Sequence, residues 1–596
     1  MPFHQDLVRR LEQIAQMMDL LGEDSFKSLA HSRAARVIGD LSFDLESIAG
    51  DVDALKKIEG VGAKIADKIV ELRTTGTIAE YDALKTRVPP GLLDLLQIPS
   101  LGPKTVRVFW QQAGVTDLAG LNRIIADGSI LKLPRMGAKS VEKLKQSIEF
   151  AAAGAVRLAL GVALPLAELV TARLAAVKGV THVAYAGSLR RGRDTIGDID
   201  ILAAAEQGGP VSEAFRTMPE VEQVLAGGDS KSSVRVSLDK AFPEGGAPRG
   251  SVQVDLRVVP PASYGAALLY FTGSKDHNVA LRERARKMGM TLNEYGLFPE
   301  DDKDTPPQSR GVKPVAAKAE EDIYKALKLS YLPPEIREGR GELEVKASPR
   351  LIELADIKAE LHAHTTASDG SMSIAQLAER AKARGFHTIA VTDHSQSSTI
   401  ANGLRPDRLR MHVEAIREAQ REVKGITILA GSEVDILADG ELDYDDDILA
   451  LLDIVIASPH ASLSQEPTKA TERLLKAVRH PRVHILGHPT GRLINKRPGL
   501  QPDMAQIISA AKEHRVALEI NAHWMRLDLR DTHVRAAVDA GCMIAIDCDV
   551  HAPEDYENLR YGVLTGRRGW LAPKLCVNTW DRTTLDAWLK SKRPAR

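Results

Sequence analysis

Cysteine is scarce in this 596-residue chain. The three present, Cys542, Cys548 and Cys576, are too few for a disulfide framework and form no CxxC pair, and they read as buried small hydrophobes in a reducing compartment. Aromatic residues make up only 4%, so the cores must be built from Leu, Val, Ile and Ala. No apolar run reaches the roughly 18 residues a membrane helix needs, and the N-terminus MPFHQDLVRR has no signal-peptide pattern. A soluble, cytoplasmic protein is expected. Charge excess is lacking too: at a net charge of -1, any nucleic acid must be held by local patches and backbone amides, not by a broad basic field.

The length fits roughly three to five domains, and the composition changes along the chain. Thirteen of the 17 histidines fall after residue 355, so a different chemistry begins there. Residues 1–150 read as helical, with apolar residues at three- and four-residue spacing. Within them one pattern occurs three times: KIEGVGAKIADKIVEL (57–72), QIPSLGPKTVRVFWQQ (97–112) and KLPRMGAKSVEKLKQS (132–147). Each places a glycine turn (Gly60 and Gly62, Gly102, Gly137) before a lysine (Lys64, Lys104, Lys139) and a helix. A single copy would read as a capped helical hairpin. Three copies with the same lysine offset read as phosphate-binding turns, whose exposed N–H groups hold a nucleic-acid backbone without reading sequence.

From about 151 to 260 strands mix with helices, and 261–345 continues as a helical and mixed region. The stretch PEDDKDTPPQSRGVKPVAAKAEED is expected to be a surface loop. In GDIDIL, Asp198 and Asp200 lie two residues apart and project from one strand face, while Ile199 and Ile201 point into a core. In SVQVDLRVV, Val252, Val254, Leu256 and Val258 alternate with Asp255 on the opposite face. Three carboxylates on neighbouring strands repel one another unless cations intervene, and hard oxygen ligands suit Mg²⁺ or Mn²⁺ completed by substrate phosphates. Two such ions can activate a 3′-hydroxyl and stabilise a leaving pyrophosphate. The preceding Gly187-Ser188 turn with Arg190, Arg191 and Arg193 supplies amides and guanidiniums for phosphate.

Together GSLRRGRDTIGDIDIL, YFTGSKDHNVALR (270–282) and NEYGLF (293–298) resemble the signature of the family X DNA polymerases, and the glycine turns resemble helix-hairpin-helix elements. The resemblance covers most of 1–345. It implies an 8-kDa-like helical domain (1–80), a fingers-like helical domain (81–150), an α+β nucleotidyltransferase palm (151–260) and a thumb-like nucleotide-selection domain (261–345). It also implies that Asp198, Asp200 and Asp255 hold two metals and that Gly187, Ser188, Arg191 and Gly197 belong to the triphosphate site. Tyr270, Phe271 and Gly273 would line the sugar, Asn278 would reach the base and Arg282 the template side. Lys68 matches the family's Schiff-base lysine for deoxyribose-phosphate lysis, a role needing a lowered pKa or fixed geometry; its plainer role is phosphate binding. Two departures stand out: Gln253 takes the place of an arginine beside the third aspartate, and His277 that of an aromatic next to the nucleotide. His31 likewise stands where an aromatic is usual.

After residue 350, apolar runs alternate with helical segments and repeatedly end in candidate ligands: ELHAHTTASDG, TIAVTDH, ITILAGSEVDI, LDIVIASPH, VHILGHP and MIAIDCDVH. Ligands at strand ends converge on one rim of a barrel, and mixed imidazole and carboxylate ligation suits Mn²⁺, Zn²⁺ or Fe²⁺. The set resembles the PHP (polymerase and histidinol phosphatase) domain, a distorted (β/α)7 barrel, over 350–596. The resemblance implies up to three Mn²⁺ or Zn²⁺ ions. His362, His364, Glu433 and Asp549 would hold the first, Glu433, His460 and His488 the second, and Asp369, His394 and His551 the third. His387, His412, His514 and His533 read as surface or packing residues, and His523 lies close to the rim.

The expected protein is therefore a monomeric, template-directed gap-filling DNA polymerase of base excision repair, acting on gapped or primed DNA with dNTPs. The barrel would add a Mn²⁺-dependent 3′–5′ exonuclease, with AP endonuclease or 3′-phosphatase activity as further options. Two alternatives are a nuclease or phosphatase whose polymerase half mainly binds DNA, and a non-enzymatic DNA-binding repair factor.

Overall fold

The structure, a computed structural model, describes residues 3–23, 25–39, 45–58, 60–96, 98, 101–138, 140–141, 144–145, 148, 157–243, 250–301, 303 and 305–592. It forms two compact units, 1–156 and 157–596.

The first unit is helical. Helix Phe3–Leu21 lies against Ser25–Gly39, Ala79–Arg87 and Pro103–Ala113, and one apolar core runs from Leu7 to Ile148 across the expected boundary at residue 80. Two of the repeated turns each open a helix: Gly62 caps Ala63–Thr75 and Gly102 caps Pro103–Ala113, both in extended backbone. At the third, Ser140 N and Val141 N donate to the Gly137 carbonyl at 2.8 and 3.0 Å, again a helix start. Lys139 lies outside the described residues.

The second unit begins with a five-stranded sheet: β1 (Val180–Tyr185), β2 (Ile199–Ala205), β3 (Val221–Ala226), β4 (Lys231–Ser237) and β5 (Ser251–Val259), in the order β1-β2-β5-β4-β3. The pair β2–β5 is parallel and sets Asp200 beside Asp255. Alternation decides the faces: Val252, Val254, Leu256 and Val258 are buried with Ile199 and Ile201 under helices Leu160–Ala175 and Gly208–Arg216, which leaves the aspartates on the open side. Helices Tyr264–Thr272 and Lys275–Lys287 and the hairpin β6 (Met290–Asn293) with β7 (Gly296–Pro299) follow. The polar stretch after β7 is not wholly a surface loop. Its end forms helix Glu320–Ala326, because Ile323 and Tyr324 find the core under Ala266 and Leu281 and Glu320 finds buried arginines.

Seven parallel strands complete the unit: β8 (Ala359–Glu360), β9 (Thr388–Val391), β10 (Thr427–Asp435), β11 (Ile454–Ser458), β12 (Ile485–Leu486), β13 (Ala517–Asn521) and β14 (Ile544–Asp547), paired in sequence order. A parallel bridge between Ala363 and Val550 joins first to last, giving a nearly closed barrel. These strands are buried on both faces, so they read as apolar runs. The floor is plugged by helix Arg582–Ser591, whose Leu585, Trp588 and Leu589 pack on Ala359, Ala390, Ile454, Ile485 and Ala545.

Candidate active sites on the palm and the barrel

On the palm, Asp200 stands on β2, Asp255 on β5, and Asp198 in the bend immediately before β2. Burial and the charges of Asp198 and Asp255 push Asp200 up to about 7, and burial with the Asp255 charge raises Asp198. This is an uncompensated acidic cluster, the environment a divalent cation relieves. Asp255 is held by the Gln253 amide, which donates to both carboxylate oxygens at 3.2 and 3.0 Å, and by the Ser233 hydroxyl. Gln253 therefore keeps a hydrogen-bonding role without adding charge. Gly187 has a φ of +60°, and a Cβ there would collide with the Asp200 carboxylate, so both the backbone and the close approach require glycine.

The segment Gly187–Arg190 forms a single helical turn directly after β1. Arg191 donates to Thr272 O at 2.5 Å and to Glu338 at 3.0 Å, which sets its guanidinium beside Gly273. Arg190 forks onto Glu320, where Arg337 also binds. Tyr270 is partly exposed and meets Phe271 edge-on at 5.2 Å, with Arg257 over the Phe271 ring. The Asn278 amide donates to Tyr270 O at 2.7 Å, and Arg282 Nε to Asn278 O at 3.3 Å. Ser188 lies within the Gly187–Arg190 turn, and Gly197 lies in the bend immediately before Asp198, with Arg157 against Gly197. His277 does not line this cleft. It is fully buried between Glu342 (2.6 Å) and the Tyr324 hydroxyl (2.8 Å), an internal strut in place of an aromatic.

In the helical unit, Lys68 Nζ lies 3.1 Å from Glu80 Oε2, with His31 Nε2 3.3 Å from the same oxygen. A shallow depression of about 500 Å³ lies beside the first glycine turn, lined by Phe26, Leu29, Arg33, Lys56, Gly60 and Gly62. Gly60 has a φ of +89°, whereas Gly62 and Gly102 have ordinary backbone and open space where a Cβ would stand. Among the described residues, no atom lies within 4 Å of where a Cβ would stand at those two positions.

The barrel rim gathers one ligand-bearing segment after another. His362 and His364 follow β8, His394 follows β9, Glu433 lies within β10, His460 and His488 follow β11 and β12, and Asp549 and His551 follow β14. Among the described residues, three groups have ligand atoms within 4.8 Å of one another: His362, His364 and Asp549; His394, Glu433 and His460; and His364, Asp369, His394 and His551. His488 Nε2 stands 2.9 Å from Glu433 Oε1. His364 belongs to two of these groups, and Glu433 stands 3.4 Å from His362, 3.7 Å from His364 and 2.9 Å from His394. The rings stack across the rim, His364 on His394 at 4.4 Å and on His551 at 4.2 Å, which draws both groups together.

Supporting residues orient these ligands. Glu519 binds His362 Nδ1 at 2.6 Å and accepts from the His488 amide, Asp435 binds His460 Nδ1 at 2.7 Å, and Asn521 donates to Asp549 at 3.0 Å. His412, expected at the surface or in packing, is buried behind the site and binds Asp393 at 2.7 Å; Asp393 in turn fixes Thr365 and Ser368. His488 and Asp549 have φ of +22° and +55°, left-handed backbone held at the rim. Burial draws His394 and His460 down, but Glu433 and the other carboxylates prevail and hold them at about 10 and about 9. Burial also keeps His364 and His488 low, at about 4. His362 Nε2 and His364 Nδ1 are buried with no hydrogen-bond partner, as ligand atoms aimed at an ion would be. The residues present thus fit divalent metal. His523 stacks on Trp524 outside these groups. Sequence reasoning missed Arg526, whose Nε lies 3.8 Å from Asp549, because its segment has no motif.

A nucleotidyltransferase palm with helix-hairpin-helix turns, joined to a metal-binding PHP barrel, defines a two-site class of polymerase. Residues 3–78 match the helix-hairpin-helix domain, 92–149 the SAM-like helix-hairpin-helix tandem, 267–338 the DNA polymerase beta thumb and 360–523 the PHP domain. The chain is 36% identical over 586 residues to the DNA polymerase/3′-5′ exonuclease PolX of Bacillus subtilis (strain 168), covering 98% of this chain and 99% of that protein. It is also 26% identical over 353 residues to DNA polymerase lambda of Rattus norvegicus, 56% of each chain. Over 246 residues it is 28% identical to a probable phosphatase of Thermoanaerobacter sp. (strain X514), 39% of this chain and 95% of that protein. The chain belongs to the PolX-type family X DNA polymerases, which join a polymerase beta-like body to a PHP domain. The palm aspartates, and Asp549 with His551, lie outside the four matched segments.

Proposed function

We propose that this protein fills short gaps in DNA from dNTPs at the palm and removes nucleotides from 3′ ends at the barrel. The observation that carries the reading is the presence in one chain of two separate sites, each an acidic or mixed-ligand cluster whose charge calls for divalent cations. Divalent ions bound there would supply Lewis-acid activation of the attacking oxygen and charge neutralisation on the leaving group, Mg²⁺ or Mn²⁺ at the palm and Mn²⁺ or Zn²⁺, up to three, at the barrel.

Around them the chain's own residues do the positioning. Asp198, Asp200 and Asp255 present their carboxylates to the primer terminus and the incoming nucleotide, with Gln253 fixing the third. The turn Gly187–Ser188 and Arg191 receive the triphosphate, Gly197 keeps the approach to Asp198 open, and Tyr270, Phe271 and Gly273 lie along the sugar. Asn278 faces the base and Arg282 the template. Gly60, Gly62 and Lys64, Gly102 and Lys104, and Gly137 and Lys139 grip the DNA backbone. Lys68, seated against Glu80, serves the 5′ side of the gap. On the barrel, His362, His364, Asp369, His394, Glu433, His460, His488, Asp549 and His551 hold the ions, and Glu519 and Asp435 set the tautomers of His362 and His460.

Incubating the protein with one-nucleotide-gapped, end-labelled DNA and Mn²⁺ tests the reading. Lengthening only with dNTPs and shortening without them is the expected result. Shortening alone would favour the nuclease reading, in which the polymerase half mainly holds DNA.

A further inference from the structure

Arg568 belongs to the barrel, at the end of helix Leu559–Arg568, and its side chain is only 3% exposed. Its guanidinium does not serve the barrel alone. Nη1 donates to Glu338 Oε1 at 2.8 Å and to the backbone carbonyl of Arg191 at 2.6 Å, while Nη2 donates to Asp531 Oδ2 at 2.7 Å. Glu338, in the segment after the thumb helices, accepts Arg191 Nε at 3.0 Å on the same oxygen, and its other oxygen lies 3.6 Å from Arg193. One buried carboxylate is thus shared between an arginine of the barrel and an arginine of the nucleotide-binding turn.

We propose that Arg568 is a positioning residue for nucleotide binding at the palm, acting through Glu338 and Arg191. The proposal rests on the reading of Arg191 as a contact to the incoming triphosphate. Three physical effects act in one direction. Arg568 fixes the Arg191 main chain through its carbonyl. It shares the Glu338 carboxylate, so the Arg191 guanidinium is not neutralised by an undivided counter-ion and keeps attraction for phosphate. It also cancels negative charge that would otherwise stand buried beside the place where the triphosphate enters. Without Arg568, Glu338 binds Arg191 more fully, the turn loosens, and a nucleotide meets an added repulsion. The barrel therefore contributes to dNTP affinity while its metal ligands take no part in it.

The test compares steady-state gap filling and 3′–5′ degradation by full-length wild type, Arg568→Ala, Arg568→Lys and Arg191→Ala. The expected result is a dNTP KM raised about three- to tenfold in Arg568→Ala, with kcat changed less than KM and degradation at the wild-type rate. Arg568→Lys, which keeps the charge and loses the fork, should fall between. An unchanged KM in Arg568→Ala, with a raised KM in Arg191→Ala, overturns the relay while the Arg191 reading stands. An unchanged KM in Arg191→Ala overturns that reading itself. If Arg568→Ala loses both activities through misfolding, Asp531→Asn decides: Asp531 orients Arg568 from the barrel side, and its variant must raise the dNTP KM with degradation intact, or the proposal falls.

Discussion

Asp200 and Glu320 are carboxylates of the same unit that titrate at opposite ends of the range because of what faces them. Burial and two facing aspartates put Asp200 at about 7, whereas Glu320 faces Arg337 and Arg190, which overcome its burial and hold it at about 2. The first is charge left for a ligand to satisfy; the second is satisfied within the fold. Asp200→Asn should lower nucleotide incorporation by roughly 10²–10³-fold, the size of losing one preorganised electrostatic group, and leave 3′ degradation unchanged in the same gel assay. Glu320→Gln should instead destabilise the unit, since it leaves Arg337 buried against a neutral partner, by about 3–5 kcal/mol in denaturant unfolding. The sign of its pH dependence follows. The folded pKa lies below the ordinary 4.5, so the Glu320 contribution is complete above about 4.5 and is lost as pH falls toward about 2. Wild type should lose stability through that window, and the Glu320→Gln variant should show a shallower loss when both are unfolded at pH 7, 4 and 3.

At the scale of elements, the repeated glycine turns separate folding from binding. Gly62 and Gly102 cap their helices with extended backbone and open space at the Cβ position, so serine, a good N-cap, should be accepted by the fold. Gly62→Ser and Gly102→Ser should keep the thermal midpoint of wild type and weaken binding to gapped DNA severalfold at moderate salt, measured by fluorescence anisotropy. Equal affinity with unchanged folding would mean that no backbone approaches there. These elements were legible in the sequence because each rests on a local rule: a glycine before a helix, alternation in β5, apolar runs ending in ligands. Helix Glu320–Ala326 was not legible. Its stretch is rich in charge and proline, and its buried Glu320 is stable because Arg190 and Arg337, 130 and 17 residues away, and the Tyr331 hydroxyl reach it. The burial of His277 was not legible for the same reason, since Glu342 and Tyr324 reach it from 65 and 47 residues away.

At the scale of the whole molecule, the two candidate sites lie on different sheets of one compact unit and draw on different residues. His362→Ala or Glu433→Gln should abolish 3′ degradation and spare gap filling; a parallel loss of both would refute two independent sites. Chelation should lower the thermal midpoint, because ions that bind only the folded barrel stabilise it by mass action, about 2.7 kcal/mol at a hundredfold excess over Kd, and Mn²⁺ should restore it. Differential scanning fluorimetry with EDTA, then with Mn²⁺, reads this directly.

What the chain determines by itself is the inventory: which strands exist, which carboxylates and imidazoles end them, and which glycines open helices. Those follow from backbone periodicity and side-chain chemistry over a few residues. The tertiary structure alone decides how ligands group, because that depends on how strand ends meet around the barrel: His364 borders two groups, and His394 stands by Glu433 as well as Asp369. It alone brings Glu519, Asp435 and His412 behind the rim, and places Arg568 against Glu338 and Arg191. Such contacts join residues tens to hundreds of positions apart, and their energy comes from burial and shared charge, which no local pattern encodes.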